Sequence, residues 1–286
     1  MRRDPVAILP RGISLAGGSP GRHGEEEMEH AHGRKILDDR VPFVALLAGL
    51  SALAWAVLWV WGRSPYGAFL SHESLEHVDL FGPVAVVFVL GWVVMTVAMM
   101  LPTSLPLVAL FHSMTRTRPN HRALMALLIT GYLGVWTVFG VAIHQGDWFV
   151  HRGVDRLPRL LARPWIISAA IVAGAGLYQF SRLKYRCLEQ CRSPYSFIAG
   201  HWRGGNERWQ ALRLGVHHGL FCLGCCWSLM LLMFAIGVGS LGWMLALGAV
   251  MAVEKNVSWG RRLTKPLGGT LLVSALAIAA TGASLG

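Results

Sequence analysis

Charged side chains are scarce in this 286-residue chain: Asp, Glu, Lys and Arg together make up 14% of it. A soluble domain carries nearer a quarter, so the composition argues against an ordinary soluble enzyme. The G-x4-G-K-[ST] phosphate loop is missing, and no soluble stretch is long enough to house one. Primary ATP-driven pumping by this chain alone is therefore not expected. Residues 1–40 lack the apolar centre and small-residue cleavage site of a secretory signal, and a cleaved leader is not expected there. Cysteine is sparse as well, and its count of 5 is odd, so complete pairing within the molecule is impossible.

What the chain has in abundance is apolar surface. Hydrophobic residues make up 54% of it, with 12 Trp and 33 Gly. A helix needs about 20 mostly apolar residues to cross the hydrocarbon of a bilayer. Windows of that kind run over Pro42–Trp61, Pro83–Leu101, Ala123–Ile143, Trp165–Phe180, Leu214–Ile236, Leu241–Val253 and Leu267–Leu285. They predict an all-α fold, a polytopic transmembrane helical bundle of about seven spans. The sixth window is short enough to be tilted or partly re-entrant.

A formal charge of +11 invites a nucleic-acid reading, but the distribution of the charge excludes it. Arg116, Arg118 and Arg122 lie between windows two and three with no acid among them. Arg182, Lys184, Arg186, Arg192, Arg203, Arg208 and Arg213 lie between windows four and five, against Glu189 and Glu207. Lys255, Arg261, Arg262 and Lys265 follow window six. The first loop of the opposite side holds Glu73, Glu76 and Asp79 against Arg63. Basic residues thus collect on alternate loops, the pattern of cytoplasmic loops. The second outer loop breaks the rule, since Arg152, Arg156, Arg159 and Arg163 outnumber Asp147 and Asp155. The expected topology is amino terminus inside and carboxyl terminus outside, with membrane lipid as the surrounding partner and no nucleic acid.

The chain divides into a polar tail over residues 1–40, expected to be disordered and cytoplasmic, and a transmembrane helical domain over 41–286. Glu25, Glu26 and Glu27 precede Met28, and glutamate codons there can resemble a ribosome-binding site, which makes Met28 a candidate start. His30 and His32 could bind metal weakly, although a solvated tail explains them better.

The cysteines are spaced as Cys187-x3-Cys191 in a basic loop and Cys222-x2-Cys225-Cys226 in the apolar run that follows. On a helix, His218, Cys222, Cys226, Met230 and Met233 fall at i, i+4, i+8, i+12 and i+15 and share one face. Cys225 points about 100° away from Cys226, toward another helix or the upstream pair. Thiolate and thioether are soft donors that suit Cu(I), with Zn(II) the competitor for the thiols. A cytoplasmic loop is a reducing place where structural disulfides are rare, so metal ligation accounts for Cys187 and Cys191 better than bridging does. Small residues at a helix interface are the bland alternative for the membrane thiols, but bilayer stability does not call for three cysteines in five positions.

The segment from Met95 to Pro106 interrupts a good membrane helix. Pro102 and Pro106 have no N–H and leave earlier carbonyls without helical partners, and Thr103 and Ser104 stand where their hydroxyls could repair them. Met95 and Met99 lie one turn apart on the face of the prolines and join the candidate ligands. Transporters form ion sites at such breaks, while a packing kink is the plain alternative. Gly131, Gly134, Gly174 and Gly176 suit close helix approach. Glu254, beside Lys255, is an acid deep enough to be costly. It is either a self-paired interfacial couple with that lysine or a further ligand.

The blocks Met95-Thr-Val-Ala-Met-Met-Leu-Pro-Thr103, Ala173-Gly-Ala-Gly-Leu-Tyr-Gln179, Lys184-x2-Cys187-x3-Cys191-x2-Pro194, His218-Gly-x2-Cys222-x-Gly-Cys-Cys-Trp-x-Leu-Met230 and Glu254-Lys255 together resemble the bacterial family described as predicted metal-binding integral membrane proteins. The resemblance covers roughly residues 80–260. It implies a multi-pass helical protein of the bacterial inner (cytoplasmic) membrane with a metal site, most plausibly for copper.

Two functions follow. One is a protein that receives, holds or passes Cu(I), with Cys222, Cys225 and Cys226 as donors, Met230 and Met95 or Met99 completing a soft shell, Cys187 and Cys191 as an inner docking pair, and a copper-receiving protein as partner. The other is a membrane thiol oxidoreductase exchanging electrons between the cysteine groups and a quinone, although its cysteines would have to face the outer compartment. A haem site using His217 or His218 with His112 is a third, weaker option.

Overall fold

The computed structural model describes residues 22–64, 83–154, 164–203, 205–236 and 241–285. Its contacts separate a unit Met1–Pro42 from a unit Phe43–Gly286, and the candidate site lies in the second. The expected tail lies outside the described residues up to residue 21, as do the side chains of residues 22–41, Met28, His30 and His32 among them. Outside them too lie the acids Glu73, Glu76 and Asp79 and the basic Arg156, Arg159 and Arg163.

Among the described residues every regular element is a helix. In chain order they are α1 (Arg22–Arg63), α2 (Pro83–Thr103), α3 (Leu105–Thr115), α4 (His121–Val154), α5 (Pro164–Tyr178), α6 (Arg182–Arg192), α7 (Pro194–His201), α8 (Glu207–Ile236), α9 (Leu241–Asn256) and α10 (Gly260–Leu285). Five stretches are long and apolar enough to cross a membrane: Pro42–Arg63, Ala85–Thr103, His121–Gly146, Glu207–Met233 and Gly260–Ser284. They match five of the seven expected spans. The fourth expected span is a bent pair, α5 and α6 meeting at 60°, and counting it as one span brings the number to six. The sixth falls on α9, whose 16 residues reach only about 24 Å, short of a hydrocarbon layer of roughly 30 Å.

Small residues set the closest helix contacts. A Cβ on Gly215 of α8 would run into the Leu128 carbonyl of α4, and one on Gly131 would meet the Leu212 carbonyl. The two backbones therefore touch directly, as small residues permit in apolar bundles. Gly176 of α5 does the same against α10, where a Cβ would lie 3.2 Å from the Gly268 carbonyl. Gly134 and Gly174, expected in the same role, face open space instead.

The break between α2 and α3 satisfies its own backbone. Pro102 leaves the carbonyl of Ala98 without its helical N–H, and Ser51 Oγ (2.9 Å) and Trp55 Nε1 (3.1 Å) of α1 donate to it. At Ser104 the chain tightens, its N–H bonding to the Leu101 carbonyl and freeing that of Met100. Thr103 Oγ1 (2.8 Å), Ser104 Oγ (3.2 Å) and Tyr132 OH (3.3 Å) all converge on the Met100 carbonyl. The hydroxyls of Thr103 and Ser104 thus serve the Met100 carbonyl, whereas the carbonyl that Pro102 frees is served from α1.

The stretch after α5, expected as a basic loop, is helical. Ser181 caps α6 by accepting from the Lys184 N–H at 3.1 Å. Lys184, Cys187 and Leu188 lie at i, i+3 and i+4 and are buried, whereas Arg182, Arg186 and Glu189 are exposed. That amphipathic stripe lays α6 along α8 and carries Cys187 and Cys191 into the protein.

Candidate metal centre

α8 packs against α4, α5, α6 and α9. His218, Cys222, Cys225, Cys226, Met230 and Met233 are all buried there, as the one-face spacing of most of them predicts. The thiols do not meet each other so much as a cation. Lys255 Nζ of α9 lies 3.0 Å from Cys222 Sγ, 3.9 Å from Cys226 Sγ, 3.7 Å from Met100 Sδ and 3.2 Å from Thr103 Oγ1. Cys226 Sγ lies 3.7 Å from Met100 Sδ and donates to the Cys222 carbonyl at 2.8 Å, and Cys225 Sγ donates to that same carbonyl at 3.0 Å. Cys222 is wholly inaccessible and Lys255 only 5% exposed.

A polar line leads away from Cys222. Its Sγ is 3.2 Å from Tyr132 OH, which is 3.3 Å from Ser104 Oγ, and Ser104 Oγ is 3.1 Å from His218 Nε2. The His218 ring lies along that of Tyr132, centroids 5.5 Å apart, and its Nδ1 has no partner among the described residues.

On the other flank of α8 the two cysteine groups meet. Cys191 Sγ of α6 is 4.0 Å from Cys225 Sγ, so Cys225 does face the upstream pair. Cys187 rests over Gly224, where a Cβ would come within 2.5 Å of its Sγ; glycine there is what admits the thiol. The Gly224 carbonyl in turn accepts from Tyr178 OH of α5. All five thiols are free.

Glu254 and Lys255 do not pair with each other. Successive helix residues point about 100° apart, and the two face different neighbours. Glu254 takes Lys184 Nζ on both carboxylate oxygens, at 3.1 and 2.9 Å, and the Thr264 hydroxyl at 3.0 Å. Lys184 also donates to Gln179, and Arg192 donates to the Glu254 and Ser258 carbonyls. The glutamate is therefore engaged in an ion-pair network linking α6, α9, α10 and the turn after α5. Met95 and Met99 are buried in the same apolar cluster as the thiols, with Met99 against Gly248 of α9. The histidines sort differently from the haem reading: His112 neighbours His121 and His217 neighbours His201, each with centroids 4.8 Å apart.

Met100, Tyr132, Thr103 and Lys255 are the members of this cluster that sequence reasoning left out. Met100 had a signal, since it adjoins Met99 in the same block. Lys255 had one in being a lysine inside an apolar helix, but its partner could not be read from the sequence. Among the described residues no three His, Cys, Asp or Glu side chains converge on one metal position. Two thiols with a thioether are a smaller, softer set, of the donor type that suits copper.

An all-helical, membrane-associated protein with a thiol and thioether cluster buried at its centre is the class that fold and site define. More particularly, the chain belongs to the PpoB2 copper chaperone family, which its residues 89–278 match. The matched stretch contains every residue of the cluster, and it ties the chain to copper. No match was found among curated proteins or among solved structures.

Proposed function

We propose that this chain is a copper chaperone of the bacterial cytoplasmic membrane that holds Cu(I) between Cys222, Cys226 and Met100 and passes it to a copper-receiving protein. The observation that carries the reading is the 3.7 Å approach of Met100 Sδ to Cys226 Sγ beside Cys222, buried where α2, α8 and α9 meet. Cys225 and Cys191 form a second thiol pair on the α6 side. With Cys191 only partly buried, that pair is the station nearer the protein surface, joined by Cys187. Met230 and His218 flank the thiols one helical turn away in either direction, and Met95 and Met99 supply the thioether-rich packing. Zn(II) competes for the thiols alone.

Metal analysis of detergent-purified protein tests this directly. Wild type loaded under reducing conditions is expected to retain Cu(I), and a Cys222, Cys225, Cys226 triple Ser variant to retain none. Equal copper in the two would remove the basis of the proposal.

The orientation has amino terminus inside and carboxyl terminus outside, supported by the alternation of basic loops. A reporter fused after Arg203 should then be cytoplasmic, and one fused at the carboxyl terminus extracytoplasmic. Both on one side of the membrane would rule that orientation out.

A further inference from the structure

A lysine buried among sulfur atoms with no carboxylate of its own asks for an explanation. Lys255 Nζ has Cys222, Cys226, Met100 and Thr103 around it. The neighbouring acid, Glu254, is already matched by Lys184 at 2.9 Å. Thr103, Met100 and Tyr132 add no charge, and His218 reaches the cluster only through Ser104 and Tyr132. Counting formal charge, the Lys184–Glu254 pair cancels, and Lys255 is left to be balanced by the thiols and whatever they hold.

Resting on the reading that Cys222 and Cys226 take the metal, we infer that Lys255 is a specificity-determining residue that selects a monovalent over a divalent ion. The metal-bound site holds two thiolates, so binding breaks whichever S–H bonds remain on Cys222 and Cys226, releases their protons to solvent and forms two metal–sulfur bonds. Two thiolates, one ammonium and one monovalent metal ion sum to zero. With Zn(II) in place of Cu(I) the sum is +1, an uncompensated charge in a dry interior, which is the costly arrangement. With Lys255 removed the order reverses: a dithiolate holding Cu(I) carries −1, and one holding Zn(II) is neutral. The softness of the donors favours Cu(I) in either case, so the lysine acts on the margin of preference and not on the ability to bind. An ammonium 3.0 Å from Cys222 Sγ is close enough to an ion held by that sulfur to enter its charge balance.

The test is competition between Cu(I) and Zn(II), each buffered by a chelator, on purified wild type, Lys255→Met and Lys255→Arg. Lys255→Met is expected to shift the preference toward Zn(II) by on the order of 100-fold, the scale of an unpaired buried charge, and Lys255→Arg to stay near wild type. A Lys255→Met preference within about threefold of wild type, well inside that scale, would overturn the inference while leaving the copper site standing. Wild type that binds no Cu(I) at Cys222 and Cys226 would overturn both. A measurement on wild type alone covers the case in which the variants fail to fold. Equimolar Ag(I) should give a thiolate-to-metal absorption band, and Cd(II) at the same free concentration a weaker one. An equal band with Cd(II) counts against the lysine.

Discussion

Cys222→Ser or Cys226→Ser alone is expected to weaken Cu(I) retention by more than ~1000-fold, because each removes one of two anionic soft donors from a site with no spare thiol on that side of α8. Cys225→Ser should have an intermediate effect, since Cys225 bonds to the Cys222 carbonyl but sends its sulfur toward Cys191. Met100→Leu should cost less than either cysteine, and Met230→Leu less again. The measurement is copper affinity by chelator competition under reducing conditions. Its pH dependence has a fixed sign. Thiols must lose protons to bind, so affinity falls as pH falls, by up to tenfold per unit for each proton released. Affinity that is flat with pH, or a Cys226→Ser variant that binds like wild type, would contradict the assignment of ligands.

The second large effect concerns stability. Lys184 is fully buried and its ammonium lies 2.9 Å from Glu254. Lys184→Met would leave that carboxylate with the Thr264 hydroxyl and no counter-charge, and Glu254→Gln would leave the ammonium similarly stranded. Each is expected to destabilise the folded protein by about 3–5 kcal/mol, the usual result of removing one member of a buried pair. The double change Lys184→Met with Glu254→Leu should recover most of that loss, because it strands neither charge. Thermal unfolding of the purified proteins in one detergent reads the difference. If the double variant is no more stable than the singles, the network acts through packing of α5, α6 and α9 and not through charge.

Much of this was legible from residue order. The one-face spacing of His218, Cys222 and Cys226 and the turn of Cys225 away from Cys226 follow from helix geometry. These are local properties. Lys255 was placed beside Glu254 because adjacency is all a sequence displays, and the structure sends the two to opposite neighbours, 33 and 70 residues away. The basic stretch holding Cys187 and Cys191 read as a loop because its charge masked a short buried stripe of Lys184, Cys187 and Leu188. Met100 lost out to Met95 and Met99 because a methionine pair points along two faces, and only the tertiary arrangement says which one meets the thiols. Long-range partners are what composition and period leave open.

The ring around the thiols is gathered from α2, α8 and α9, and its members do not arrive together during synthesis. Met100 and Thr103 come first, then the cysteines, and Lys255 lies 29 residues after Cys226. At roughly 5–20 residues per second a ribosome needs a few seconds to cover that gap. For that interval the nascent chain carries the Cys-x2-Cys-Cys run without the lysine that later lies 3.0 Å from Cys222 Sγ, so the cluster is complete only once α9 has been made.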